Sequence, residues 1–444
     1  MTNVMDQAAL KNVRTVAFAS AIGTTIEWYD FFLYGTFSGL IFNKLFFPTF
    51  DPTVGTLLAY TTFAVGFVAR PIGGVIFGHF GDRIGRKSML ILTLGIMGVA
   101  TFIIGLLPTY AQVGVLAPIL LLLVRLLQGI GLGGEWGGAV LMAAEHSPPK
   151  QRGFYASWPQ IGVPAGLALG TAVAYFLTRL GDEALLAYAW RIGFLASIVL
   201  VVIGIYIRLR ILESPAFEQV KKTGTIARIP FSDLMRSSGR NVLLGLGIRY
   251  IEGVGFNLYG VFIISYLTLN LKYTRPEALG AVTAAAILMA IMVPIYGKLS
   301  DRYGRRRIFA LGTIATGLLV FPAFSLMSLG ISWAWIAIIV PFGLAYPALY
   351  GPEAALFCEL FEPRVRYSGI SFVYQFSGIF ASGLTPIVAI ALLKYAGGSP
   401  WLVASYVFVV ALISLASLFA VRTTHTDDLV DDSATAGAVV MQPA

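Results

Sequence analysis

Cysteine, histidine and charge are all scarce in this chain of 444 residues. The single cysteine, Cys358, excludes an intramolecular disulfide. Three histidines (His79, His146 and His425), at span ends and in the tail, cannot join it in a metal cluster of the usual spacings. No catalytic constellation is visible, so an enzyme is not expected. The absence of a Walker A sequence excludes ATP as energy source, and no cofactor is expected. Charged residues amount to 12%, where a soluble domain carries roughly 25%.

Apolar length is what the chain has instead. Hydrophobic residues make up 57%, too many to hide inside a water-soluble globule of this size. Twelve spans of about 18–25 residues can be read. They lie near 15–40, 54–80, 88–107, 113–143, 153–178, 188–209, 241–268, 278–299, 307–328, 332–357, 367–394 and 400–421. An all-α membrane protein follows. The first run contains Glu27 and Asp30 and continues to about 40, which predicts a retained span rather than a cleaved signal peptide. The polar, basic stretch 210–240 predicts a cytoplasmic linker between six-helix bundles at 1–209 and 241–422. The acidic end, 423–444, predicts a disordered tail.

Lys and Arg set the topology. With the N-terminus inside, most of the 31 basic residues fall in cytoplasmic segments. The external set is small: Lys44, Arg179, Arg191, Lys272, Arg275 and Lys394. Arg70, Arg125 and Arg249 fall within spans. Both termini are therefore expected in the cytoplasm. The net charge of +9 reads as a topology signal, not as a nucleic-acid footprint.

Two markers recur. GHFGDRIGRK at 78–87 returns as GKLSDRYGRR at 297–306, so that Gly78, Asp82, Arg83, Gly85 and Arg86 match Gly297, Asp301, Arg302, Gly304 and Arg305. Glu145, Pro149 and Arg152 share their spacing with Glu359, Pro363 and Arg366, at nearly the same offset. Such self-similarity is the mark of a parallel repeat of half the chain. Among the matched positions, Gly78, Asp82, Arg83, Gly85, Arg86, Asp301, Arg302, Arg305, Glu145, Arg152, Glu359 and Arg366 are candidate gating residues at the cytoplasmic end.

An ionisable group at mid-bilayer costs at least ~2.5–3.5 kcal/mol on insertion scales, so each one needs a reason. Glu27, Asp30 and Tyr34 share one face of span 1. Arg70 lies in span 2, and Arg125, Gln128 and Glu135 share a broad face of span 4. In span 7 Arg249 and Glu252 are three apart, and Phe256 and Tyr259 continue their face. Each group also has a plainer reading as a packing or ion-pair residue, and Glu353 and Glu359 read as cytoplasmic latch residues. Asp30 and Glu27 have no basic residue in their own span. A carboxyl deprived of water and of a counter-charge takes up a proton more readily, as a proton carrier must.

Gly129, Gly131 and Gly134 spell G-x-G-x-x-G, but inside an apolar helix with no strand before it, so close helix approach explains them better than a dinucleotide. Pro71, Pro118, Pro159, Pro164, Pro294, Pro341, Pro347, Pro352 and Pro386 predict kinks.

The chain resembles the metabolite:H⁺ symporter family of the major facilitator superfamily. EWYDFFLYG at 27–35, ARPIGGVIFGHFGDRIGRK at 69–87, RLLQGIGLGGEWGGA at 125–139, ESPAFE at 213–218 and EPRVRYSG at 362–369 carry the likeness across both halves. The resemblance implies a major facilitator fold of twelve transmembrane helices. It implies that Gly78, Asp82, Arg83, Gly85, Arg86 and Lys87 form the gating loop, and that Arg125 and Gln128 belong to a motif linked to proton coupling. The family's osmosensing members carry a C-terminal coiled coil. Residues 422–444 hold no heptads, so osmosensing is not expected.

The expected function is import of a small carboxylate or zwitterion with protons, by alternating access in the cell membrane, from a monomer. Asp30, Glu27, Glu135 and Glu252 are the candidate proton carriers. Arg70, Arg125, Arg249, Gln128, Tyr34 and Tyr259 are the candidate substrate ligands, since a guanidinium matches a carboxylate bidentately. A multidrug efflux antiporter of the same fold is the alternative, and three intramembrane arginines speak against it. A non-transporting nutrient sensor would need a signalling domain for which the linker and tail leave no room.

Overall fold

The computed structural model describes residues 2–84, 86–133, 136–145, 147–209, 231–361 and 366–421. Among these residues the chain is helical throughout, because a backbone in hydrocarbon must satisfy its own N–H and C=O groups. The first six helical spans are α1 (Thr2–Leu40), α2 (Pro52–Ile84), α3 (Arg86–Leu106), α4 (Leu116–Leu132, resumed at Trp136–Glu145), α5 (Arg152–Thr178) and α6 (Asp182–Tyr206). The second six are α7 (Ser238–Asn270), α8 (Arg275–Tyr303), α9 (Arg305–Met327), α10 (Ile331–Cys358), α11 (Gly369–Tyr395) and α12 (Trp401–Ala420).

The packing repeats as the sequence does. In the first half α1 lies along α5, α2 against α4 and α3 against α6. In the second half α7 lies along α11, α8 against α10 and α9 against α12. Contacts between the halves follow the same symmetry: α5 packs on α8, and α2 packs on α11. Two six-helix bundles thus face each other across those pairs.

Local chemistry fixes the turns. Thr274 and Glu277 form a capping box at the start of α8, with the Thr274 amide donating to Glu277 Oε2 at 2.8 Å. Gly304 joins α8 to α9 at φ +95°, a conformation that excludes most side chains and explains the duplicated glycine of the loop. Its counterpart Gly85 lies outside the described residues. The span-4 glycines act through backbone approach: a Cβ on Gly129 would strike the carbonyl of Gly66 on α2.

Two expectations change. Residues 231–240 of the stretch read as linker are helical from Phe231, with Ser238 out of helical geometry and Leu234 buried. Helix distortion also occurs where no proline announces it. Helix α2 runs unbroken through Pro71, whereas π-helical turns interrupt α7 at Leu258–Phe262 and Tyr266–Asn270 without any proline. The π turn of α10, Ile339–Ala345, does contain Pro341. Residues 210–230 and 422–444 lie outside the description.

Candidate functional site

The charged residues of the spans meet in the interior, in two groups flanking the plane between the halves. In the first half, Arg125 on α4 donates to Gln128 Oε1 at 2.5 Å, and Gln128 Nε2 donates to Thr101 Oγ1 at 2.6 Å. The Thr101 hydroxyl donates to the Met97 carbonyl and lies against Asp30. Aromatic faces wrap the Arg125 guanidinium, with Phe31 at 3.9 Å and Tyr34 at 4.2 Å. Gly66 leaves room for it: a Cβ there would stand 2.8 Å from Arg125 Nε. Tyr34 is held in turn by Thr62, at 2.6 Å.

In the second half, Arg249 pairs with Glu252 at 3.1 Å and donates to Ser377 Oγ at 3.0 Å. Its guanidinium lies 3.7 Å from the ring centre of Tyr374 on α11. Tyr374 stacks on Trp136 of α4 at 3.5 Å, which joins the halves through two rings. Tyr346 donates to the Glu252 backbone carbonyl at 2.8 Å. Glu353 is wholly buried nearby, with neither carboxyl oxygen hydrogen-bonded.

Arg70 on α2 stands between the groups. Phe67, Phe31 and Trp28 cage its guanidinium at 4.2, 4.5 and 4.8 Å. Its Nε and Nη2 are buried without a hydrogen-bond partner, as are the Nε and Nη2 of Arg125. A narrow cleft reaches Arg70 between α1, α4 and α11, lined by Glu27, Trp28, Trp136, Tyr374 and Gln375 among others.

The halves are tied at both ends. At the end where α1 begins, Asp301 accepts from the amides of Gly153 and Phe154 at 2.8 and 2.9 Å, while Gln375 and Gln160 donate to the carbonyls of Gly133 and Tyr350. Arg305 pairs with Glu359 and stands 3.6 Å from Asp301. At the opposite end Tyr60 meets Ser265 at 2.8 Å, Thr283 meets Thr171 at 2.7 Å, and Arg275 pairs with Asp182. The interior group is therefore enclosed from both sides.

The structure brings together Asp30, Tyr34, Arg125 and Gln128 in one group, and Arg249 with Glu252 in the other. Tyr259 is buried against Phe342 at 5.7 Å, one turn beyond Phe256, and meets aromatic rather than charged neighbours. Arg302, in the expected gating set, is exposed at the rim over Tyr303. Glu353 corrects the latch set, since it lies in the core, whereas Glu359 does pair with Arg305. Arg152 is buried in the first turn of α5. Gly78 lies within α2. Glu135 and Gly85 lie outside the described residues, as do the side chains of Asp82, Arg83, Arg86, Glu145 and Arg366. Sequence reasoning passed over Tyr346, Tyr350, Tyr374, Trp136 and Gln375. Polar and aromatic residues scattered through apolar helices carry no periodic signal.

Residues 16–242 match the model of the family described as Sugar (and other) transporter, and residues 246–442 match that of the Major Facilitator Superfamily. The chain is 41% identical to the inner membrane metabolite transport protein YhjE of Escherichia coli, over 84% of this chain and 86% of that one. It is 39% identical to the shikimate transporter of Escherichia coli, over 91% and 94%. It is 35% identical to the proline/betaine transporter of Salmonella typhimurium, over 95% and 85%. Among solved structures, the crystal structure of a D-xylose-proton symporter superposes with a TM-score of 0.71 at 19% identity, over 93% of this chain and 99% of that one.

Proposed function

The chain belongs to the metabolite:H⁺ symporter family of the major facilitator superfamily, and from that premise we propose that it imports a small carboxylate or zwitterion together with protons by alternating access. The observation that carries this reading is the enclosed Arg70 guanidinium, whose Nε and Nη2 have no acceptor, at the plane between the bundles. Buried donors normally find partners, and a substrate carboxylate would complete this one bidentately. Arg125, also with open N–H groups, and Arg249, across the plane, complete the anion-binding set.

Asp30 is the proton carrier in this reading. Thr101 spends its single hydroxyl proton on the Met97 carbonyl and one lone pair on the Gln128 amide. The same hydroxyl lies against Asp30, so the protonation of that carboxyl is felt along the chain. The relay Asp30–Thr101–Gln128–Arg125 then connects proton occupancy to a substrate-binding guanidinium. Glu27, beside Arg70 in the cleft, is the next candidate. The basic end of the bundle faces the cytoplasm, following the excess of Lys and Arg there.

The test is uptake into proteoliposomes, with shikimate, proline, glycine betaine and short di- and tricarboxylates offered in turn. Accumulation of a carboxylate or zwitterion that rises with acid outside and collapses with a protonophore is expected. Uptake unaffected by the pH gradient, or confined to uncharged sugars, would overturn the reading.

A further inference from the structure

The second-half group holds two carboxyls and one guanidinium. Glu353 on α10 has no exposed surface and neither oxygen hydrogen-bonded, and its electrostatic neighbours are Glu252 and Arg249. Arg249 already pairs with Glu252, donates to Ser377 and packs on Tyr374, with only its Nε left open. We propose that Glu353 and Glu252 share one exchangeable proton beside Arg249, a second protonation centre on α7 and α10 separate from Asp30. Two carboxylates buried beside a single cation do not readily both ionise, and the pair then titrates as a unit. An unpaired buried charge is strongly destabilising, and a proton held between the two removes it.

Among the described residues, phenols and amides make up most of what surrounds the pair. On α10 the phenols of Tyr346 and Tyr350 flank the pair, and on α11 Tyr374 does. From α5, Gln160 engages the Tyr350 carbonyl, with Tyr155 and Arg152 in the first turn. From α8, Tyr296 lies beside Gly351. Helix α9 has no ionisable residue from Ile308 to Met327, and its Arg305 is paired with Glu359 at the helix end. A further cation is Arg70 of the other half, within electrostatic reach of Glu252 and Arg249. When the proton leaves, the pair gains a negative charge facing Arg70 and competes there with the substrate carboxylate. Proton binding releases Arg70 to the substrate. For that role in transport the assignment rests on the proton-coupled reading above.

Infrared difference spectroscopy of the lipid-reconstituted protein tests it without any transported substrate. Stepping the buffer from mildly acid to alkaline should remove a protonated-carboxyl C=O band that shifts in D₂O. In an Asp30→Asn background, which removes the other proton carrier, the band should fall to background in Glu353→Gln and also in Glu252→Gln, because either variant leaves a single carboxylate matched to Arg249. It should persist in Asp30→Asn. Glu353→Asp, which keeps a carboxyl, should move the band rather than remove it. In that background, a band unchanged in Glu353→Gln overturns the assignment, and a band retained in Glu252→Gln shows Glu353 titrating alone and overturns the sharing. Failure of carboxylate uptake would leave this result standing, and absence of the band would leave the uptake result standing.

Discussion

Asp301, at the end of α8, accepts a hydrogen bond at 2.8 Å from the amide of Gly153, in the first turn of α5. The carboxylate of one half thus sits at the N-terminus of a helix of the other, where open amides and the helix dipole favour an anion. Gly153 is what allows the approach, since a Cβ there would crowd the Gly297 carbonyl and Asp301 itself. Arg305, 3.6 Å from Asp301 and paired with Glu359, extends the contact along the same end.

Asp301→Asn should therefore loosen this end selectively. A hydrogen bond to a charged group contributes about 1.5 kcal/mol, so the ratio of closed to open forms should fall roughly tenfold. Distance measurements between spin labels on the two halves should show the basic end opening. Turnover should drop severalfold with substrate affinity nearly unchanged. A weakened affinity at unchanged turnover would count against a gating role.

The duplication of the charged loop made this end legible from sequence, because Asp301 and the start of α5 both belong to repeated markers. The spans and the paired halves were legible for the same reason: hydropathy and repetition are one-dimensional signals. The interior was only partly so. Arg70, Arg125 and Arg249 stand out as charges in apolar runs. That Tyr374 would stack between Trp136 and Arg249, or that Glu353 would face Glu252 rather than the rim, depends on helix rotation across the two halves. The π turns of α7 help set that rotation, and no proline or glycine pattern announces them.

Arginine-to-lysine replacement separates the three guanidinium groups. Lysine keeps the charge but loses the planar fork, so binding should weaken roughly tenfold or more at a site that grips a carboxylate. Arg70→Lys is expected to show the largest loss, because its open donors lie on the cleft between the halves. Arg249→Lys should also lose its contact with Ser377. Calorimetric titration with the transported substrate checks the order. Intact affinity in all three variants would remove the anion site.

Orientation can be read by cysteine labelling in a Cys358→Ala background, where the one native thiol, itself buried, is gone. Tyr395 is 86% exposed at the end of α11, and Arg302 is exposed at the opposite end of the bundle. An impermeant maleimide applied to intact cells should label Tyr395→Cys and leave Arg302→Cys untouched until the membrane is opened. The reverse pattern would invert the assigned topology.

Coupling should depend on Asp30. It is 1% exposed, and among the described residues no basic side chain forms an ion pair with it. Its link to the arginines runs through Thr101 and Gln128. Asp30→Asn fixes the neutral state, with an amide that can still hydrogen-bond the Thr101 hydroxyl, so the fold and the relay should survive. What should fail is the uphill step. A carrier that cannot release its proton inside gains nothing from acid outside, so accumulation should vanish while exchange of labelled for unlabelled substrate continues. Thr101→Val tests the relay separately: it removes the shared hydroxyl and should weaken coupling with Asp30 intact. Should Asp30→Asn and Glu27→Gln both still concentrate substrate in response to the pH gradient, the driving proton binds elsewhere, and the carboxyls of α7 and α10 become the place to look.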